Sequence, residues 1–252
     1  MKLKLVTYNI FNGKHRDVVI KNILALAKEG VNIFCLQEVR NLGNGESIID
    51  LLLQKLGVNW QAEKLLNDVT RPNDLGLCVI WDSLVVSLKK SDNLLLPKLT
   101  KVDLLEKTFR KINKNYHFPV QRSALRLDFE CNGKPLRVTN IHLDVSGGKA
   151  HKTRQLGHLQ SYLKAIPAYP NEIVCGDFNT LGWGLLAKKY KSKMAEFFGS
   201  DFKNVFPKQV RTGPLYQHLD HIFVKGLALV AAEVKRMRGS DHKPVVAEFE
   251  IK

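Results

Sequence analysis

The sequence predicts a mixed α/β chain forming one domain over residues 1–252, on three observations. Apolar period-two segments alternate with stretches of helical period from one end of the chain to the other. No linker rich in Pro, Gly or Ser, no internal repeat and no low-complexity tract interrupts them. With 252 residues, 44% hydrophobic and 25% charged, the composition is ordinary globular, which excludes collagen-like, low-complexity and largely disordered chains.

Taken in order, Lys2 to Ile10 alternates as a strand, and Asp17 to Glu29 has the apolar spacing of an amphipathic helix, closed by Gly30. Val31 to Gln37, with the apolar run Ile33 to Leu36 inside it, predicts a buried strand. A helix is expected from about Glu46 to Leu56, with Gly57 as its stop. Strands are expected at Trp60 to Leu66, Leu75 to Trp81, Leu84 to Lys89, Val120 to Phe129 and Leu136 to Leu143. Asn132-Gly133 joins the last two, the pair best suited to a tight hairpin turn. A helix from about Lys149 to Leu163 precedes a strand at Glu172 to Cys175, and another helix is expected from about Leu185 to Phe198. Strands at His218 to Val224, Leu229 to Arg236 and Val245 to Ile251 end the chain. Lys89 to Tyr116 mixes apolar residues with many lysines, contains Pro97 and has no clean period, so it is expected to be surface loop or irregular helix.

The longest unbroken apolar run is six residues, Leu227 to Ala232, whereas a membrane-spanning helix needs roughly 20. Met1 to Val6 enters a strand directly, without the apolar segment and small-residue cleavage site of a secretion signal. Cys35, Cys78, Cys131 and Cys175 lie far apart with no paired spacing and are expected to be small core residues of a reduced protein. Together these features favour a cytoplasmic protein, and a monomer is expected. Thirty-nine Lys and Arg against 24 Asp and Glu give a net charge of +15. Such an excess attracts phosphate-rich polyanions and speeds their encounter, without specifying which polyanion.

Several expected strands end in acidic, amide or imidazole side chains. These are Asn9 after the first, Gln37-Glu38 after the second, and His142 and Asp144 after the hairpin. Gly176-Asp177-Phe178-Asn179 follows the next strand, Asp220-His221 opens another, and Ser240-Asp241-His242 precedes the last. If two sheets stack, strand ends along one edge lie together and line one cleft. Carboxylates such as Glu38 and Asp241 suit Mg²⁺, a hard cation that needs only one or two of them beside substrate phosphate. A carboxylate such as Asp177 can orient or deprotonate an attacking water, and His142 and His242 can donate to phosphate or move protons. Asp220 is assigned to fix the tautomer of His242 and stabilise its imidazolium form. Each motif alone is equally consistent with a turn or a solvated strand end. Their combination carries the assignment.

Leu36-Gln37-Glu38, Gly176-Asp177-Phe178-Asn179, Leu219-Asp220 and Ser240-Asp241-His242, in this order, resemble the motifs of the endonuclease/exonuclease/phosphatase superfamily. The resemblance runs from Val6 to about Ile251. It implies a four-layered α/β (α+β) sandwich of two mixed β-sheets flanked by helices. It further implies that Asn9 joins Glu38 and Asp241 at the metal corner, with Glu38 the principal ligand, and that Asn179 binds the scissile phosphate. By the same resemblance Asp177 handles the nucleophilic water, His142 matches the mid-chain histidine, and Asp220 with His242 matches the C-terminal pair. Arg122 falls where many members place a phosphate-facing cation or a tyrosine. Asp74 is a candidate acidic partner of His142. The presence of His142 separates the chain from abasic-site endonucleases, and His142 to Leu159 is similar to small bacterial members.

The expected activity is Mg²⁺-dependent hydrolysis of phosphodiester bonds, with Mn²⁺ as a substitute. Nucleic acid, DNA above all, is the favoured substrate because of the charge. The alternatives are a phospholipid or phosphoinositide phosphatase, a sphingomyelinase-like phosphodiesterase acting at a lipid head group, and a non-catalytic polyanion-binding module. Among the remaining residues, His151 and His158 are expected at the helix surface or core edge, and His221 on the sheet face opposite Asp220. Lys14, His15 and Arg16 either steer phosphate or belong to a solvated loop. Trp183 either stacks on a base or packs on the helix after it.

Overall fold

The computed structural model describes residues 2–40, 47–65, 75–99, 107–108, 121–180, 197–214 and 217–251. Its strands are β1 (Lys2–Asn9), β2 (Ile33–Arg40), β3 (Trp60–Leu65), β4 (Leu75–Asp82), β5 (Ser87–Leu95), β6 (Ser123–Cys131), β7 (Lys134–His142), β8 (Asn171–Asp177), β9 (Lys203–Asn204), β10 (Asp220–Lys225), β11 (Ala228–Val234) and β12 (Val245–Glu250). The helices among the described residues are α1 (Arg16–Lys28), α2 (Ile48–Leu56) and α3 (Gly148–Ala165). One sheet has the order β11-β12-β1-β2-β4-β3 and the other β5-β6-β7-β8-β10-β9. Each is mixed: β1 runs parallel to β2, and β7 parallel to β8, with antiparallel neighbours around both pairs.

Three apolar clusters define four layers. Leu3, Leu5, Ile33, Val79, Leu127, Val138, Ile173 and Phe249 are among the side chains that fill the space between the sheets. Val6, Tyr8, Phe34, Leu36 and Ile80 point the other way and meet Val19, Ile23, Ile49 and Leu52 of α1 and α2. On the second sheet Ile141, Val174 and Phe223 meet Leu156 and Leu159 of α3. This is the period-two alternation of strands buried on both faces, which gives each sheet one inter-sheet side and one helix side. The expected sandwich of two mixed sheets flanked by helices is the fold observed. All four cysteines are buried and form no disulfide, as expected of core residues.

Most elements fall where the sequence predicts them. Gly30 (φ 87°) and Gly57 (φ 100°) follow α1 and α2, and Ser47 caps α2 by accepting from the Ile49 amide at 3.1 Å. Asn132 (φ 51°) and Gly133 (φ 74°) form the β6–β7 hairpin turn with the paired positive φ values of a type I′ turn. One expectation fails. Lys89 to Leu95, expected to be loop or irregular helix, belongs to β5, which pairs with β6 from Ser87↔Glu130 to Leu95↔Ser123. A bulge between Leu88 and Lys90 breaks the alternation that would have marked the strand, and lysines on this edge discourage pairing with other chains. The helix expected from about Leu185 to Phe198, with Trp183 before it, lies outside the described residues except at its last two positions, as do Asp74 and most of the segment after Leu99.

Candidate active site

Both parallel pairs point their C-terminal ends the same way, so Asn9, Glu38, His142 and Asp177 all emerge at one edge of the sandwich. Beneath that edge the two sheets are tied by polar groups. Asn140 donates to the carbonyls of Leu36 (2.9 Å) and Cys78 (3.1 Å), and Gln37 Nε2 donates to Asn140 Oδ1 at 2.7 Å.

The backbone is bent to present the side chains. Gln37 pairs with Leu77 and Val39 with Gly76, so Glu38 is the extra residue of a β-bulge, with φ 57°. Bulges re-aim side chains, and positive φ in a non-glycine residue is a cost that surrounding structure must sustain. Asn179 also has positive φ (48°), as do Phe11, Asn12 and Gly13 in succession (49°, 58° and 64°). Gly176 (φ 144°) lies beside Ile141, where an added Cβ would stand 1.9 Å from the Ile141 carbonyl oxygen. That close approach sets β7 against β8 and aligns His142 with Asp177.

Asp177 is the centre of the cluster. Its Oδ2 accepts from Asn9 Nδ2 at 3.0 Å and its Oδ1 from the Asn179 amide at 2.8 Å. His142 Nε2 lies 3.5 Å and His242 Nε2 3.7 Å from Oδ2. His242 Nδ1 lies 2.9 Å from Asp220 Oδ2, while Asp220 Oδ1 is buried with no partner. The Asp220 amide donates to Thr212 Oγ1, and Ser240 Oγ donates to the Asn9 carbonyl at 2.7 Å while accepting from the His242 amide. Asn179 Nδ2 is used by the Leu143 carbonyl at 2.9 Å. Glu38 accepts from Asn9 and is close enough to Arg122, His242 and Asp241 for their charges to act on it. Asp241 itself is exposed beside Ser240. Asn9, Glu38, His142, Asp177, Asn179, Asp220, Asp241 and His242 therefore border one region, with Asn9 joining Glu38 to Asp177.

Charge is divided unevenly. Burial alone would lower His242, but Asp220 and Asp177 raise its pKa to about 10, so the imidazolium persists at neutral pH. Burial pushes Asp177 up to about 7, with His242 holding it down and Asp220 pushing it further up. Burial drives His142 well below its ordinary range, and the cations Arg122 and His242 add to the effect. Arg122 Nη1 lies 3.1 Å from His142 Nδ1. A guanidinium can only donate, so Nδ1 is the acceptor and the neutral ring carries its proton on Nε2, facing Asp177. Burial also raises Glu38, against Arg122, the Asn9 hydrogen bond and His242, and Asp241 reinforces the rise.

The contacts that sequence reasoning missed stand behind Arg122. Asp144 Oδ1 accepts from Arg122 Nε at 3.1 Å, and Asp144 Oδ2 meets His151 Nε2 at 2.6 Å and Gln155 Nε2 at 3.0 Å. Gln155 Oε1 accepts from the Asp144 amide. Arg154 Nη2 lies 2.9 Å from His151 Nδ1, which makes His151 Nε2 the donor to Asp144. His151 is thus buried and committed, not a surface residue. The available signal was the four-residue spacing of His151 and Gln155, which puts both on one face of a helix. Arg122 points into this set and toward Glu38, and is itself buried. His221 faces away from Asp220, as expected, near Thr180 Oγ1 at 3.0 Å and edge-on to Phe178.

Asp177, Asp220 and His242 place one ligand atom each within 4.8 Å of one another among the described residues. Since each offers one ligand atom, this trio could hold a metal ion or share a proton. Glu38 and Asp241 offer oxygen donors at a corner where burial and like charge disfavour an isolated carboxylate, and such a corner suits a hard divalent cation. A cavity of about 440 Å³ is lined by Asn12, Gly13, Lys14, Arg16, Arg40 and Ile48. Lys14 and Arg16 therefore converge with Arg40 on a basic recess.

A sequence profile of the Endonuclease/Exonuclease/phosphatase family matches residues 6–242. The chain belongs to this family. It is also similar to UPF0294 protein VP2298 of Vibrio parahaemolyticus serotype O3:K6 (strain RIMD 2210633), at 32% identity over 134 residues, 52% of this chain and 46% of that protein. The matched stretch spans less than half the length of that relative. Among solved structures, the human Nocturnin catalytic domain with bound sulfate superposes with a TM-score of 0.72 at 18% identity, covering 100% of this chain and 94% of that one. D. rerio TDP2 complexed with single strand DNA product gives 0.71 at 14% identity over 99% of each chain. At these identities the likeness establishes the fold, and the family profile establishes a phosphoesterase and nuclease-like scaffold.

Proposed function

We propose that the protein is a Mg²⁺-dependent hydrolase of phosphodiester bonds acting on nucleic acid, with DNA the favoured substrate and Mn²⁺ a substitute for Mg²⁺. The observation that carries this reading is the buried Asp177, raised toward neutrality and ringed by Asn9, the Asn179 amide, His142 and His242. Glu38 and Asp241 would hold the metal, with Asn9 beside them. Bound there, Mg²⁺ supplies positive charge against the phosphoryl and leaving oxygens.

The chain's own groups do the rest. Asp177, with a pKa about 7, takes the proton of a water placed beside it at neutral pH. Asn9 and the Asn179 amide fix both of its oxygens, so the orientation of that water is set before substrate arrives. His242, kept protonated by Asp220, donates from Nε2 to a phosphoryl oxygen and stabilises the charge that develops on it. His142 donates from Nε2 as a neutral partner, and Arg122 behind it contributes positive charge. The net charge of +15, the recess lined by Lys14, Arg16 and Arg40, and the DNA-bound relative support nucleic acid as substrate.

Hydrolysis of plasmid DNA, single-stranded RNA, bis(p-nitrophenyl) phosphate and phosphoinositide, with Mg²⁺, Mn²⁺ or EDTA, tests this reading in wild type and His242→Ala. Nicking abolished both by EDTA and by the substitution is the expected result. Turnover of phosphoinositide alone would overturn the nucleic-acid assignment and keep the chemistry. No turnover of any substrate would overturn the enzyme.

A further inference from the structure

A second basic cavity, of about 750 Å³, is lined by Phe206, Val210, Arg211, Val234, Arg236, Met237, Arg238 and Lys243. Four cations and no carboxylate line it. Arg211, Arg236 and Arg238 are exposed, and Arg236 and Arg238 make no ion pair among the described residues. Phe206, Val210, Val234 and Met237 supply apolar surface between them. Guanidinium groups collected around one cavity repel one another unless an anion enters, and arginine forks match the geometry of phosphate oxygens.

The walls are the loops that carry the site. The Lys243 amide donates to the Thr212 carbonyl at 2.6 Å, and Thr212 Oγ1 holds the amides of Leu219 and Asp220. The loop from Arg236 to His242 is pinned at three points. Asn22 Nδ2 donates to the Arg238 carbonyl at 2.6 Å, Ser240 Oγ to the Asn9 carbonyl, and Lys243 Nζ to the Met237 carbonyl at 2.9 Å. Gly239 (φ 106°) lies so close to Val18 that an added Cβ would stand 2.9 Å from its Cγ1. The cationic segment is therefore held in place before a ligand arrives, which lowers the ordering cost of binding.

We infer that this cavity is a substrate subsite taking a phosphate of a nucleic-acid strand other than the one being cleaved, with the attached nucleoside over the apolar surface. The inference rests on the nucleic-acid reading and extends it: it makes the substrate a chain of phosphates crossing from the Asp177 centre past Lys243 to Arg236 and Arg238.

Binding without cleavage separates the two. Fluorescence anisotropy of a short fluorescein-labelled single-stranded DNA in EDTA is measured across a salt series for wild type, for Arg236→Gln with Arg238→Gln, and for Lys134→Gln with Lys164→Gln. The last pair removes equal charge from exposed positions away from the cavity. The arginine pair is expected to weaken binding roughly tenfold or more and to reduce the slope of log affinity against log salt by about 1.4, two single-strand phosphate contacts' worth. Unchanged binding in that variant, or an equal loss in the lysine pair, overturns the subsite. Loss of binding to phosphoinositide vesicles with DNA binding intact overturns its assignment to nucleic acid. If wild type fails to turn over bis(p-nitrophenyl) phosphate with Mg²⁺ or Mn²⁺ while the arginine pair still loses DNA, the proposed hydrolysis fails and the subsite stands.

Discussion

At the scale of single residues, Asp177 is the proposed base, and Asp177→Asn is expected to lower kcat roughly 10²–10⁴-fold while far-ultraviolet circular dichroism stays unchanged. Wild-type turnover by that variant would remove the proposed base. Asp144 makes a different prediction because it acts on folding. Burial alone would raise its carboxyl, but the hydrogen bond from His151 and the charge of Arg122 hold it below the usual range. A folded pKa below the unfolded value contributes stability that is complete above the unfolded pKa and disappears as pH falls through the folded one. Wild type is therefore expected to lose its advantage over Asp144→Asn in urea midpoint as pH falls from about 5 to about 2. A constant difference across that range would mean that the His151 and Arg122 contacts do not hold the carboxyl down. The strand-end residues were legible in the sequence because each is a polar group closing an apolar run. The contacts of Asp144 with His151 and Gln155 were not, because they join the end of β7 to α3 and exist only in three dimensions.

At the scale of elements, Gly176 decides whether two strands can lie together. Alanine there would meet the Ile141 carbonyl at 1.9 Å, and that atom belongs to backbone that cannot swing aside. Gly176→Ala is expected to cost about 3 kcal/mol or more in urea denaturation, since both the clash and the positive φ oppose it. A loss under about 1 kcal/mol would show that β7 and β8 can separate locally without consequence. The same element scale explains the misread strand. A bulge at Lys89 broke the period in β5, and pairing with β6 supplied the hydrogen bonds that local pattern did not announce. In β2 a bulge fell after the apolar run, so the strand was recognisable and only its continuation to Arg40 was hidden.

At the scale of the whole molecule, the two sheets meet mainly through apolar side chains, with Asn140 and Gln37 as the polar tie directly under the site. Asn140→Ala removes three hydrogen bonds and strips buried carbonyls of their donors. It is expected to cost about 2–3 kcal/mol and to reduce kcat as well, because the two rows of strand ends lose their common anchor. Stability lost with kcat intact would make the tie structural only. The layered arrangement followed from pattern because both faces of each central strand are apolar. Which polar atoms cross between sheets did not, since a buried amide in a strand looks the same in sequence whichever neighbour it serves.

The bulge in β2 separates the Glu38 carboxylate, the proposed metal holder, from the architecture. Glu38 is the residue without a cross-strand partner, so deleting it would join Gln37 directly to Val39 and leave the pairs Gln37↔Leu77 and Val39↔Gly76 in an unbroken ladder. Val39 would keep its place against the α1 and α2 layer. A single-codon deletion is thus expected to yield a folded, thermally robust protein that still captures polyanions and hydrolyses nothing, so that enzyme and inert binder are neighbours one mutational step apart.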